Sequence, residues 1–178
     1  GKVTAEWMIN GEMQEDIFSL DISRFEKFHS ELDFITERVT ETLGNLYAMH
    51  WPFKQHTTSR NQKLMPYHDH LLKRGACFGQ AAAYERPMWY AINGNEPKYK
   101  YSYGYQNWYE SAEYETINAR KNVALFELSP FAKFELTGNQ AHSSLQYICS
   151  NDIKNQIGAI TYSQMLNSKG GIESDLTI

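Results

Sequence analysis

Two hydrophobic periods run through this chain, and they occupy different halves of it. In the first half, Leu32, Phe34, Ile35, Val39, Leu43 and Leu46 recur at helical spacing, and Pro52 bars any continuation. In the second half, residues 160–166 and 172–178 alternate with period two around an Asn167-Ser168-Lys169-Gly170-Gly171 turn. Between them lies a stretch, residues 91–109, with Gly94, Pro97 and Gly104 set among five tyrosines. Helices and strands segregated in this way point to an α+β fold rather than to alternating βαβ units.

Around these anchors the remaining elements follow. Residues 3–10 have helical composition, with Gly11 where a left-handed helix-ending residue belongs. Ser30 and Asp33 stand at the cap and capping-box positions of the long helix. Residues 67–78 read as a short helix closed by Gly75 or Gly79, and 110–120 as another. Residues 131–136 alternate as a strand, and Asn139 is placed to cap a helix through Ala141, Leu145 and Ile148. The segment 91–109 reads as a surface excursion and a domain boundary. A first helix without a cap, and a last strand that stops in mid-hairpin, lead us to expect an internal piece of a longer protein.

Composition excludes several function classes. The net charge is −4, and no Lys/Arg cluster offers a nucleic acid a basic face. No apolar run approaches the ~20 residues of a membrane span. With 42% hydrophobic and 14% aromatic residues the chain has ample material for a packed core. Cys77 and Cys149 match no metal or redox spacing and read as small buried hydrophobes.

The chemistry-bearing residues are sparse. His50, His56, His68 and His70 cluster, with Asp69 between the last two, but no third ligand stands at metal-site spacing, so we expect no metal. No serine or cysteine lies in a nucleophile elbow, and Gly75 and Gly79 are too few for a phosphate cradle. Glu85-Arg86 beside Trp89-Tyr90 reads as a structural ion pair or, less often, a ligand contact. Asp152, after the 141–148 helix, is either a turn aspartate or a catalytic carboxylate.

The order of segments goes further. Residues 1–11 (GKVTAEWMING) and 20–25 (LDISRF) resemble the end of the flavin domain of dimethylglycine and sarcosine dehydrogenases. Residues 34–39 (FITERV), 66–69 (PYHD), 74–79 and 84–90 look like the central connecting region of the same enzymes. Residues 123–129 (VALFELS), 133–138 (KFELTG) and 166–177 (LNSKGGIESDLT) are similar to the opening of the folate-binding, aminomethyltransferase-like domain. The resemblance implies three segments: 1–29 from the flavin domain, 30–109 as connector and 110–178 from the folate domain. Glu127 departs from the aspartate usual there.

That resemblance implies a two-part activity with two cofactors, FAD and tetrahydrofolate, and both sites would be incomplete in this chain. A flavin domain takes a hydride from a small N-methyl amine to leave an iminium, and the folate domain captures the one-carbon unit. Asp152 falls at the aspartate associated with capture, where a carboxylate can steady a cation and receive a proton. Phe131, Tyr162 and Met165 fall on the folate side, and Gly1 and Lys2 fall where a helix N-terminus meets the flavin ring. The compartment implied is the cytoplasm in a bacterium or the mitochondrial matrix in a eukaryote. The alternatives are a non-catalytic regulatory relative and a stand-alone folate or interaction module.

Overall fold

A computed structural model describes residues 1–12, 17 and 20–178. It is a mixed helix and sheet structure made of two units, residues Gly1–Phe131 and Ala132–Ile178. The expected α+β class is what the chain adopts.

In the first unit, α1 (Lys2–Asn10) ends at Gly11, whose φ of 74° lets its N–H reach the Trp7 carbonyl. Helix α2 (Leu32–Leu46) covers the expected span, but its start and its packing face differ from expectation. Glu31 precedes it without a side-chain cap. Ser30 instead donates to the Lys27 carbonyl at 2.7 Å, closing a short 3-10 turn over Lys27–Ser30.

The packing face is the larger surprise. Of the apolar stripe only Phe34 is buried, while Leu32, Ile35, Val39, Leu43 and Leu46 remain exposed. The helix is held to its own unit by the polar positions that share Phe34's face. Arg38 donates to the carbonyls of Thr58 and Ser59 and to Gln80 Oε1. Glu37 accepts from Ser59, and Glu41 accepts from the N–H and hydroxyl groups of both Thr57 and Thr58.

These bonds carry a pH dependence. Burial pushes the Glu41 carboxyl up, but the four threonine donors outweigh it and hold it at about 2, against an ordinary 4.5. A depressed folded-state value stabilises the fold above the unfolded value, and that stabilisation disappears as pH falls through the folded one. The contribution is therefore expected to fade between pH 4.5 and about 2. Thr58→Val should move the acid-unfolding midpoint to higher pH, as followed by circular dichroism.

Helix α3 is shorter than expected, His68–Lys73, and Gly75 (φ 81°) ends it. Residues 76–78 then leave the expected helix for a strand. Strands β1 (Ala76–Ala81) and β2 (Tyr84–Tyr90) form an antiparallel hairpin that the sequence had not announced. Its connection is the reason. Ala82 and Ala83 occupy the two-residue turn with φ of 49° and 65°. Asn-Gly is the usual signal there, because a Cβ at positive φ costs about 1 kcal/mol or more per residue. Replacing Ala82-Ala83 by Asn-Gly is therefore expected to raise the unit's stability by about 1 kcal/mol, measurable by urea unfolding.

The core sits under this hairpin, where Met65, Ala76, Cys77 and Trp89 are all buried. Pro87, lacking an N–H, falls where the ladder shifts register opposite Cys77/Phe78. Glu85 is fully buried, and its partner is Arg60 rather than the neighbouring Arg86. Successive strand side chains point to opposite faces, so Arg86 turns away from Glu85 and its guanidinium lies 5.8 Å from the Phe131 ring.

The tyrosine-rich excursion folds back on its own unit rather than standing free. Tyr99 packs edge-on to Trp89 at 6.0 Å and stacks on Tyr101 at 5.7 Å. The Tyr101 hydroxyl accepts from the Gln55 N–H at 2.9 Å, and Tyr103 donates to the His50 carbonyl at 3.0 Å. Helix α4 (Tyr109–Lys121) follows, and its Glu115 accepts from the Tyr90 N–H at 2.7 Å.

The second unit is a helix and a hairpin. Residues 131–136 form no strand; an alternating pattern becomes a strand only in a ladder, and the second unit's ladder among the described residues joins β3 to β4. Helix α5 (Ala141–Ile148) has Gln140, not Asn139, at its cap position, with no side-chain cap. Strands β3 (Tyr162–Leu166) and β4 (Ile172–Thr177) pair antiparallel as expected. Their turn is organised by Asn167, whose Oδ1 accepts from the N–H groups of Lys169 and Gly171.

Candidate functional site

A concentration of polar geometry in the second unit lies where α5 hands the chain to β3. Helix α5 stops at Ile148, and Cys149 turns the backbone to an extended conformation. The next residues are pinned to β3 one after another. Cys149 forms an isolated bridge with Met165, and the Ser150 N–H donates to the Gln164 carbonyl at 2.9 Å. Asn151 donates from its N–H to the buried Ser163 hydroxyl at 3.0 Å, and from its side-chain amide to the Tyr162 carbonyl at 2.7 Å.

Asp152 comes next, between this anchored stretch and the buried side chain of Ile153. Its carboxylate is engaged on both oxygens: Gln146 donates to Oδ1 at 2.9 Å and Lys154 to Oδ2 at 2.7 Å. The hydrogen bonds from Lys154 and then Gln146, with the lysine's charge added, hold the Asp152 carboxyl below the usual carboxylate range. The side chain is nevertheless 67% exposed, so a ligand can reach it. An anchored backbone, an ionised carboxylate and an open approach suit the binding of a cation. The same depressed pKa makes Asp152 a weak proton acceptor, so charge stabilisation outranks base catalysis in what this geometry can do.

The other residues singled out from the sequence are placed less favourably. Met165 lies on β3 opposite Cys149, on the same strand face as Ser163. Tyr162 points to the opposite face, where its hydroxyl donates to Asp175 Oδ2 at 3.1 Å. Phe131 belongs to the first unit, 58% exposed beside Arg86. Gly1 and Lys2 are exposed at the start of α1; Lys2 pairs with Glu6 at 3.6 Å, and the helix buries none of its residues.

The histidines divide between roles. His50 and His56 line an open cleft of about 270 Å³ with Trp51 and Lys54, whereas His68 stacks on Phe78 at 4.4 Å. Among the described residues no three His, Cys, Asp or Glu side chains gather as metal ligands would. Both cysteines are buried and unpaired, as expected of small hydrophobes, and burial pushes the Cys77 thiol up to about 11. Sequence reasoning missed Gln146 and Lys154. Their positions six before and two after Asp152 belong to no motif, and only the turn after α5 brings them together.

Residues 10–64 match the family model described as the FAD dependent oxidoreductase central domain, and residues 67–178 match the GCVT N-terminal domain. Over its whole length the chain is 42% identical to a 4-methylaminobutanoate oxidase (formaldehyde-forming) of Paenarthrobacter nicotinovorans, covering 22% of that protein. It is 32% identical to the mitochondrial pyruvate dehydrogenase phosphatase regulatory subunit of Mus musculus, covering 21% of it. To the mitochondrial sarcosine dehydrogenase of Homo sapiens it is 29% identical, covering 22%. The chain thus spans about a fifth of the length of the curated relatives it matches. No described helix is long and apolar enough to cross a membrane. With the two domain models in this order and relatives of this kind, the chain belongs to the dimethylglycine and sarcosine dehydrogenase family, whose members join an FAD-dependent oxidoreductase to a GCVT-type domain.

Proposed function

We propose that the chain is part of a flavin-dependent N-methylamine dehydrogenase of the dimethylglycine/sarcosine type that passes the one-carbon unit to tetrahydrofolate, with Asp152 at the capture step. The observation that carries this is the accessible Asp152 carboxylate, ionised and held by Gln146 and Lys154 on a backbone anchored to β3. Tetrahydrofolate, when bound, supplies the amine nitrogen that takes up the carbon. Asp152 steadies the positive charge carried by the one-carbon donor, and its open side leaves solvent to take up the proton that the attacking nitrogen gives up. Lys154, 62% exposed, can withdraw into solvent as the substrate's cation replaces it. Tyr162 and Met165 belong to the folate side of the proposal, the hydroxyl of Tyr162 being tied to Asp175.

The exposed Asp152 carboxylate suits a positively charged one-carbon donor, whereas the described residues build no flavin site. Gly1 and Lys2 are proposed to face the flavin because the resemblance puts them where a helix N-terminus meets the flavin ring, and α1 begins without an acidic residue or side-chain cap, which favours a nearby negative charge. The segments 1–29, 30–109 and 110–178 are proposed as flavin-domain end, connector and folate-domain opening. The compartment proposed is the cytoplasm for a bacterial protein and the mitochondrial matrix for a eukaryotic one.

The deciding experiment follows the N-methyl carbon of sarcosine, dimethylglycine and 4-methylaminobutanoate, labelled with carbon-13, in the full-length protein with tetrahydrofolate. Carbon recovered on folate supports the proposal. A second reading is favoured by the printed name of the 42%-identical relative: the carbon leaves as free formaldehyde whether or not folate is present.

A further inference from the structure

We propose that Gln146 is the positioning residue that aims the Asp152 carboxylate, resting on the role proposed for Asp152 in capture. One side-chain amide does two jobs within a single turn. Its Nε2 donates to Asp152 Oδ1 at 2.9 Å, and its Oε1 accepts from the Ile153 N–H at 2.8 Å. The carboxylate and the peptide that follows it are thereby fixed to the same rigid group. A carboxamide is suited to this, because it offers a donor and an acceptor on one planar unit, which neither glutamate nor lysine does.

The support is reinforced along α5. His142, one helical turn before Gln146, has its Nε2 2.9 Å from the Ile153 carbonyl. Residues four apart lie on one face of a helix, so His142 and Gln146 grip the two polar groups of Ile153 from the same side. With the Ile153 side chain buried and Asn151 tied to Ser163 and Tyr162, both neighbours of Asp152 are immobilised. The one adjustable contact left to the carboxylate is Lys154, on the other oxygen. Division of labour follows: Gln146 sets direction, and Lys154 holds the charge until a substrate cation arrives.

Two substitutions separate the two bonds. Gln146→Met removes both, while Gln146→Glu keeps an acceptor for the Ile153 N–H, loses the donor to Asp152 and adds a like charge. The groups facing Asp152 are Gln146, Lys154 and His142, so its titration reports directly on this set. Carbon-13 NMR of the Asp152 carboxyl is expected to show its midpoint rising in both variants, and further in Gln146→Glu than in Gln146→Met. In the full-length protein the yield of carbon on tetrahydrofolate, relative to amine oxidised, is expected to fall about tenfold in each variant. An Asp152 titration unmoved in both variants would overturn the proposal. So would an unchanged folate yield in both while Asp152→Asn lowers it. If Asp152→Asn itself leaves the yield unchanged, the capture role fails instead, and Gln146 is then only a structural tie.

Discussion

Asp152→Asn in the full-length protein is expected to leave N-methyl amine oxidation near its normal rate and to lower one-carbon transfer to tetrahydrofolate by about 10²-fold. Asparagine matches the aspartate in size, and Gln146 can still donate to its carbonyl oxygen, so the local backbone should survive. What disappears is the negative charge that the site holds ionised through Lys154 and Gln146. Oxidation is read by reduction of an electron-accepting dye, and capture by carbon-13 recovered on folate against free formaldehyde. In the variant the lost carbon should reappear as formaldehyde in equal amount. Loss of oxidation and capture together would assign Asp152 a structural role, and retention of both would remove it from the reaction.

The largest effect on stability is expected at the buried ion pair of the first unit. Arg60→Ala should cost about 3–5 kcal/mol in urea unfolding followed by tryptophan fluorescence, because it leaves the buried Glu85 charge without its partner, and Glu85→Ala should cost less, since the Arg60 side chain is 23% exposed and keeps two carbonyl partners. Glu85 is wholly inaccessible and accepts from Arg60, the Asn61 N–H and Gln80. Burial pushes its carboxyl up, yet these donors together hold it below the ordinary range. Arg60 also donates to the carbonyls of His56 and Phe78, so it joins the loop, β1 and β2 in one network. The double replacement Arg60→Met with Glu85→Leu should therefore recover only part of the loss. The buried charge is gone, but the two carbonyls still lack a donor. A cost below about 1 kcal/mol for Arg60→Ala would place this pair with ordinary surface bridges.

Much of the fold was legible because local signals and tertiary outcome agree where one short segment carries the whole cause. Gly11 ends α1 since only a left-handed residue closes it there, and Asn167 through Gly171 makes the β3–β4 turn with its own side chain. The hairpin of β1 and β2 escaped notice because Ala82 and Ala83 take positive φ without the Asn or Gly that signals such a turn. Residues 131–136 show the converse, an alternating pattern that forms no strand.

The candidate site divides along the same line. By itself the sequence determined the kinship, the periods of α2, α5 and the last hairpin, and the suspicion attached to Asp152, since order and spacing of segments are linear properties. Only the tertiary structure decided what Asp152 touches, that Glu85 answers to Arg60 instead of Arg86, and that α2 grips its unit through Arg38 and Glu41 rather than its apolar stripe. Those pairings join residues 2 to 42 positions apart by way of turns, and a hydrogen bond depends on distance in space, which no linear period encodes.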